Sequence, residues 1–161
     1  MSFLVNITSW WSSYYGNHQL VSVFIHFLHL AGLVLGAGTA LFADRQVLRA
    51  ARLGPPEREA VLMILDRAHP YVVSWFIVVG STGILMMAAD TSTFLSSILY
   101  WIKMAMVVFL LANGLTMLFA ERRARRLGVS AGWPRLVTIS TISVILWLVT
   151  LFLGTLLTVA A

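Results

Sequence analysis

Three residues in this sequence are of types that an apolar helix rarely carries: His26, His29 and Lys103. Each interrupts an apolar run long enough to cross a bilayer, where an ionisable group is costly and needs a partner or a task. His29 and Lys103 each lie nine residues into their runs, roughly 13–14 Å deep at 1.5 Å of rise per residue. Both runs start from the same side, so the imidazole and the amine share a level near the midplane. His26 is one turn shallower and about 60° round the helix from His29, so the two can share a face. A neutral imidazole is the usual axial ligand for a b-type haem, and bundles supply such ligands from facing helices. A lysine this deep either sheds its charge or pairs with an anionic ligand, because its stem reaches an interface poorly. The plainer readings are a hydrogen-bonded packing histidine and a snorkelling lysine. A pair of histidines near a lysine is unusual enough to set against both.

Other residues extend this constellation. His69 sits just before Pro70 at the mouth of the second apolar run, a dozen ångströms or more from His29 along the bundle. The two would therefore serve separate haems, or one of them is structural. His18 precedes the first run among polar and aromatic residues and reads as an interfacial side chain. Phe24, Phe27, Trp75, Phe76, Tyr100, Trp101 and Phe109 offer aromatic walls for a porphyrin, or else face lipid. Arg45 and Arg67 could meet haem propionates, although arginines in such loops commonly contact lipid headgroups. Copper is the alternative metal: His26, Met86 and Met104 combine imidazole with soft thioethers. Methionine is also ordinary filler in apolar cores, and the adjacent Met86 and Met87 point different ways.

The elements that must position these groups follow from composition. Of 161 residues, 60% are apolar and 11% charged, where a soluble domain carries roughly 25% charged. Lipid must be the solvent of such a chain. Four spans are expected, at about 20–42, 70–89, 94–120 and 136–159, as an all-α integral membrane four-helix bundle in one domain. Gly54-Pro55-Pro56 reads as a turn, and Glu57 and Glu59 suit the first turn of a helix that runs into the second span, where Pro70 could kink it. Trp10, Trp11, Tyr14 and Tyr15 mark residues 1–19 as a short interfacial segment. The connections 43–69 and 120–135 carry five arginines each, and the N-tail, the Asp90 turn and the C-tail carry no Lys or Arg. The positive-inside rule puts those two loops in the cytoplasm and both ends outside. The absence of organelle-targeting features makes a bacterial inner membrane the expected location. No cleaved signal peptide is read, since no basic n-region precedes the first run.

The net charge of +5 comes from these loops, so it reflects topology and not nucleic-acid binding. Cysteine is absent, which excludes disulfides, iron–sulfur clusters, thiolate metal sites, c-type haem attachment and thiol catalysis. Gly32 and Gly36 form a G-x-x-x-G pair suited to close helix approach, and a homodimer through them is open.

His29-Leu30-Ala31-Gly32, then Gly38, then Asp44-Arg45, resembles the opening helix of a superfamily of small bacterial membrane proteins. These include the HemJ-type protoporphyrinogen oxidases and the CopD-like copper-resistance domains. Trp101-Ile102-Lys103 is similar to the tryptophan shortly before a lysine in the third helix of the HemJ-type family. The resemblance covers the first three spans. It implies a four-helix membrane protein that binds b-type haem or a porphyrin through His29, Lys103 and Arg45. Here Asp44 stands before Arg45, where that family has proline, and no histidine follows until His69.

The leading expectation is a b-type haem protein that moves electrons within or across the bilayer. His29 would be an axial ligand, with His26 or His69 next. Lys103 would be a second ligand, a propionate partner or a proton donor, with Trp101 beside it. A membrane or periplasmic redox partner is implied. Protoporphyrinogen oxidation through Lys103 and His29, copper handling or transport, and a scaffolding role in a larger complex are the alternatives.

Overall fold

A computed structural model describes residues 2–160. Six helices follow one another: α1 (Ser2–Asn17), α2 (Gln19–Ala50), α3 (Pro55–Ala89), α4 (Thr91–Ser96), α5 (Ile98–Leu127) and α6 (Val129–Ala160). Four of them, α2, α3, α5 and α6, are long and apolar enough to cross a membrane. The chain is thus a multi-pass helical membrane protein.

The long helices outrun the bilayer. At 1.5 Å per residue they measure about 45–52 Å, against a hydrocarbon core of roughly 30 Å. The excess lies at the arginine-rich end, where α2 and α5 continue past their expected ends. Within 43–69, α2 continues to Ala50, and α3 starts at Pro55, beside the turn signal that the sequence offers. Residues 120–135 likewise contain little loop, since α5 runs to Leu127 and only Gly128 separates it from α6. Gly54 precedes Pro55, whose fixed φ suits the first helical position. Arg58 holds the turn by donating to the carbonyls of Ala50 and Ala51, and its guanidinium lies over the Trp133 ring. Gly128 makes the sharper reversal at φ +96°, which a side chain would resist. The helix α3 continues through Pro70.

The third span also starts later than expected. Phe94 belongs to the short α4, whose N-cap Asp90 accepts a hydrogen bond from the Thr93 N–H. Those hydrogen bonds hold the exposed Asp90 carboxyl below the usual carboxylate range. The N-terminal segment is helical and tied to the bundle: Trp11 Nε1 donates to Leu85 O at 2.8 Å.

Two hairpins build the bundle. α2 packs along α3, α5 packs along α6, and the hairpins join mainly through α2 and α6. Gly32 and Gly36 are what bring α2 and α3 together. A Cβ at Gly32 would lie 2.7 Å from Val79 Cγ2, and one at Gly36 would lie 2.9 Å from Trp75 Cβ. The G-x-x-x-G face is therefore filled within the chain.

The main apolar core sits at the arginine-rich end. Val47, Ala50, Leu62, Leu65, Ala120, Ala124, Trp133 and Leu136 interlock there with almost no exposed surface. A smaller cluster of Ala37, Leu110 and Trp147, with Phe76 packed against it, lies towards the middle of the bundle. Outward-facing positions such as Phe27 (61% exposed) and Phe109 (57% exposed) form the apolar coat expected against lipid.

Candidate functional site

His29 is half-buried between α2 and α3. Its Nδ1 lies 3.1 Å from Val79 O and 3.0 Å from Thr82 Oγ1. The carbonyl can only accept, so Nδ1 carries the hydrogen and Nε2 keeps its lone pair. Thr82 is fixed in turn: its hydroxyl donates to Val78 O at 2.7 Å, which leaves its oxygen free to accept from His29. Gly83 makes room for the ring, since a Cβ there would stand 3.4 Å from His29 Cε1.

Lys103 reaches from α5 towards α6, where a Cβ at Gly154 would lie 3.6 Å from Nζ. A ring nitrogen committed to a carbonyl and the other left free is the arrangement that orients metal-ligating histidines. On that observation the His29 ring suits a haem iron.

The other candidates separate. His26 turns towards α1, with Nδ1 2.8 Å from Ser22 O and 3.0 Å from the Tyr15 hydroxyl. It lines a cavity of about 390 Å³ together with Tyr15, Met86, Asp90 and Phe94. Met104 is not among the residues lining that cavity. Trp101 is exposed and donates from Nε1 to Leu95 O, as an interfacial tryptophan does. Arg45 is exposed, and sixteen residues of α2 separate it from His29, about 24 Å at 1.5 Å per residue. His18 stacks on Tyr14 with its Nδ1 on Tyr14 O.

His69 lies at the arginine-rich end, away from His29. Its Nδ1 is 2.7 Å from Leu65 O and its Nε2 is 3.4 Å from Glu121 Oε1. Among the described residues no group of three or more His, Asp or Glu side chains is arranged to hold a metal ion. The aromatics proposed as porphyrin walls divide. Phe24, Phe27, Trp101 and Phe109 face outward, whereas Phe76 packs edge-on against Trp147.

Sequence reasoning missed the acidic residues at the arginine-rich end. Asp44 is 4% exposed and Glu121 is 3% exposed. The hydroxyls of Ser140 and Ser143 on α6 approach the Asp44 carboxyl. Even so, Asp44 Oδ2 and Ser140 Oγ make no well-formed hydrogen bond among the described residues. A signal for Glu121 does exist: Met117, Ala120, Glu121 and Ala124 follow the i, i+3, i+4, i+7 spacing of one helix face, and all four are buried. The neighbouring Arg122 and Arg123 mask it. Asp44 lies similarly between Ala43 and Val47 on the buried face of α2.

Comparison with known proteins finds no matching family model, curated protein or solved structure.

Proposed function

We propose that this chain is a b-type haem protein of a bacterial inner membrane that takes part in electron transfer, related to the HemJ-type and CopD-like superfamily. The observation carrying this reading is the His29 ring: Nδ1 is pinned to α3 and Nε2 is free. Haem held at Nε2 would supply one-electron redox chemistry in the bilayer. The protein's part is to orient the ring through Val79 and Thr82, and to place the Lys103 cation for a propionate or a proton. Arg45 lies too far along α2 to meet a haem ligated at His29. His69 is left out of the ligand set because its Nε2 faces Glu121.

On this reading the arginine-rich end is cytoplasmic and both termini are periplasmic, following the charge asymmetry. A membrane or periplasmic redox protein is the partner that fits. The test is a reduced-minus-oxidised spectrum of protein purified from cells supplied with haem precursors. A Soret band that His29→Ala removes is expected. Absence of that band from well-expressed wild-type protein sinks the proposal. The narrower reading, protoporphyrinogen oxidation, predicts that the chain rescues a strain lacking its own oxidase. Failure of a haem-loaded protein to do so removes that activity.

One observation favours a second reading. His26 and Met86 line the same cavity, beside Tyr15 and Asp90, and imidazole with thioether suits copper. Copper retained by protein purified without haem, and lost in His26→Ala, supports this site.

A further inference from the structure

We propose that His69 and Glu121 share a bound proton and form a proton-exchange site at the arginine-rich end of the bundle. His69 Nδ1 is 2.7 Å from Leu65 O, which only accepts, so Nδ1 carries a hydrogen. Its Nε2 then faces Glu121 Oε1 at 3.4 Å. Without a further proton, a lone pair on nitrogen would confront a lone pair on oxygen. Glu121 sharpens the conflict: it is 3% exposed, and Oε1 has no hydrogen-bond partner among the described residues. An unpaired buried carboxylate is strongly disfavoured. One proton resolves both problems: carried by Glu121 Oε1 as a carboxylic acid, it is donated to the Nε2 lone pair.

Arg125 attracts the Glu121 carboxylate, but burial and the negative charge of Asp66 outweigh it. Arg125 on α5 is committed to Asp66 and to Leu62 O on α3. Asp66 adds negative charge near Glu121. From α2, Asp44 brings a second buried carboxyl that feels His69, and from α6 Ser140 and Ser143 approach Asp44 with uncharged hydroxyls. Arg122 remains at the rim. His69 and Glu121 line a cavity of about 240 Å³ whose other residues include Asp66, Arg122 and Arg125. Those three are exposed, so water can reach the pair and exchange its proton. Neither haem nor His29 takes part in this pair.

The test is infrared difference spectroscopy of the full chain in detergent between acid and alkaline pH, with sodium or choline at fixed ionic strength. A protonated-carboxyl band is expected in wild type, titrating alike in both salts. Glu121→Gln should remove it and Asp66→Asn should leave it. His69→Gln offers an amide N–H to the ionised carboxylate, so it should loosen the proton at least tenfold. A band that survives Glu121→Gln, or has the same midpoint in His69→Gln, overturns the proposal. So does a sodium-dependent midpoint, which would mark a metal-cation site. Should Glu121→Gln fail to fold, the comparison of wild type with His69→Gln still decides.

Discussion

The two halves of this bundle solve opposite problems. At the arginine-rich end the helices run past the bilayer and meet as helices do in water: Trp133, Leu136, Val47 and Leu62 are turned inward, and arginines such as Arg45 and Arg67 face out. In the membrane half the outward face is apolar, as Phe27 and Phe109 show, and the inward-facing residues include His29, Thr82 and Thr150. Water drives apolar groups together, and lipid does not. Tight apolar packing therefore stabilises the arginine-rich end. Close backbone approach at Gly32 and Gly36 has to do that work in the membrane. Polar groups also carry different meanings in the two halves. An arginine at the surface is ordinary, whereas His29 and Lys103 in the bilayer half are not.

The largest expected effect tests this contrast directly. Trp133→Ala empties a fully buried site and should cost about 3–5 kcal/mol, read by reversible denaturation in detergent. Phe109→Ala, on the lipid-facing side, should change stability by less than about 0.5 kcal/mol. Equal losses from the two would erase the distinction between the halves. Next, Gly36→Leu forces a side chain into Trp75 and should cost about 1–3 kcal/mol through overpacking. Were Gly36 only a dimer contact, this variant would change the oligomeric state and leave monomer stability intact.

Lys103→Met exchanges a buried cation for an apolar chain of similar length. It should leave the protein without haem as stable or raise its stability by about 1–3 kcal/mol. A marked loss would show that the ammonium is needed for folding. Asp66→Ala breaks an exposed pair with Arg125 and should cost less than about 1 kcal/mol, shrinking as salt is added. The smallest effect belongs to the Asp90 turn. Its carboxyl is held below the ordinary range by Thr93, so its contribution is present above the unfolded carboxylate range near pH 4. That contribution fades as pH falls through the lower, folded value. Fraying of α4 on acidification should appear in amide exchange, and in Asp90→Ala the helix should be frayed at every pH with no such dependence.

Much of the membrane half was legible in the residue order. Apolar runs of about twenty residues can satisfy their backbone groups only as helices once in lipid. The four spans therefore follow from composition. The arginine-rich end was legible only in part, for an equally physical reason. Gly54-Pro55-Pro56 marked the turn before α3, but arginine density hid how far α2 and α5 continue. There Ala43, Val47 and Ala50 continue one buried face of α2, and Ala120 and Ala124 continue one of α5.

By itself, then, the order of residues settled that the chain crosses a membrane, roughly where it does so, and which ionisable groups are stranded inside. Hydropathy is a local property and needs no partner to be read. Tertiary structure alone decided that Gly32 and Gly36 face α3, that the His29 ring is pinned through Nδ1, and that His69 meets Glu121. Each of these depends on which helix lies beside which, and pairing between distant segments is set by packing and not by any one segment's composition.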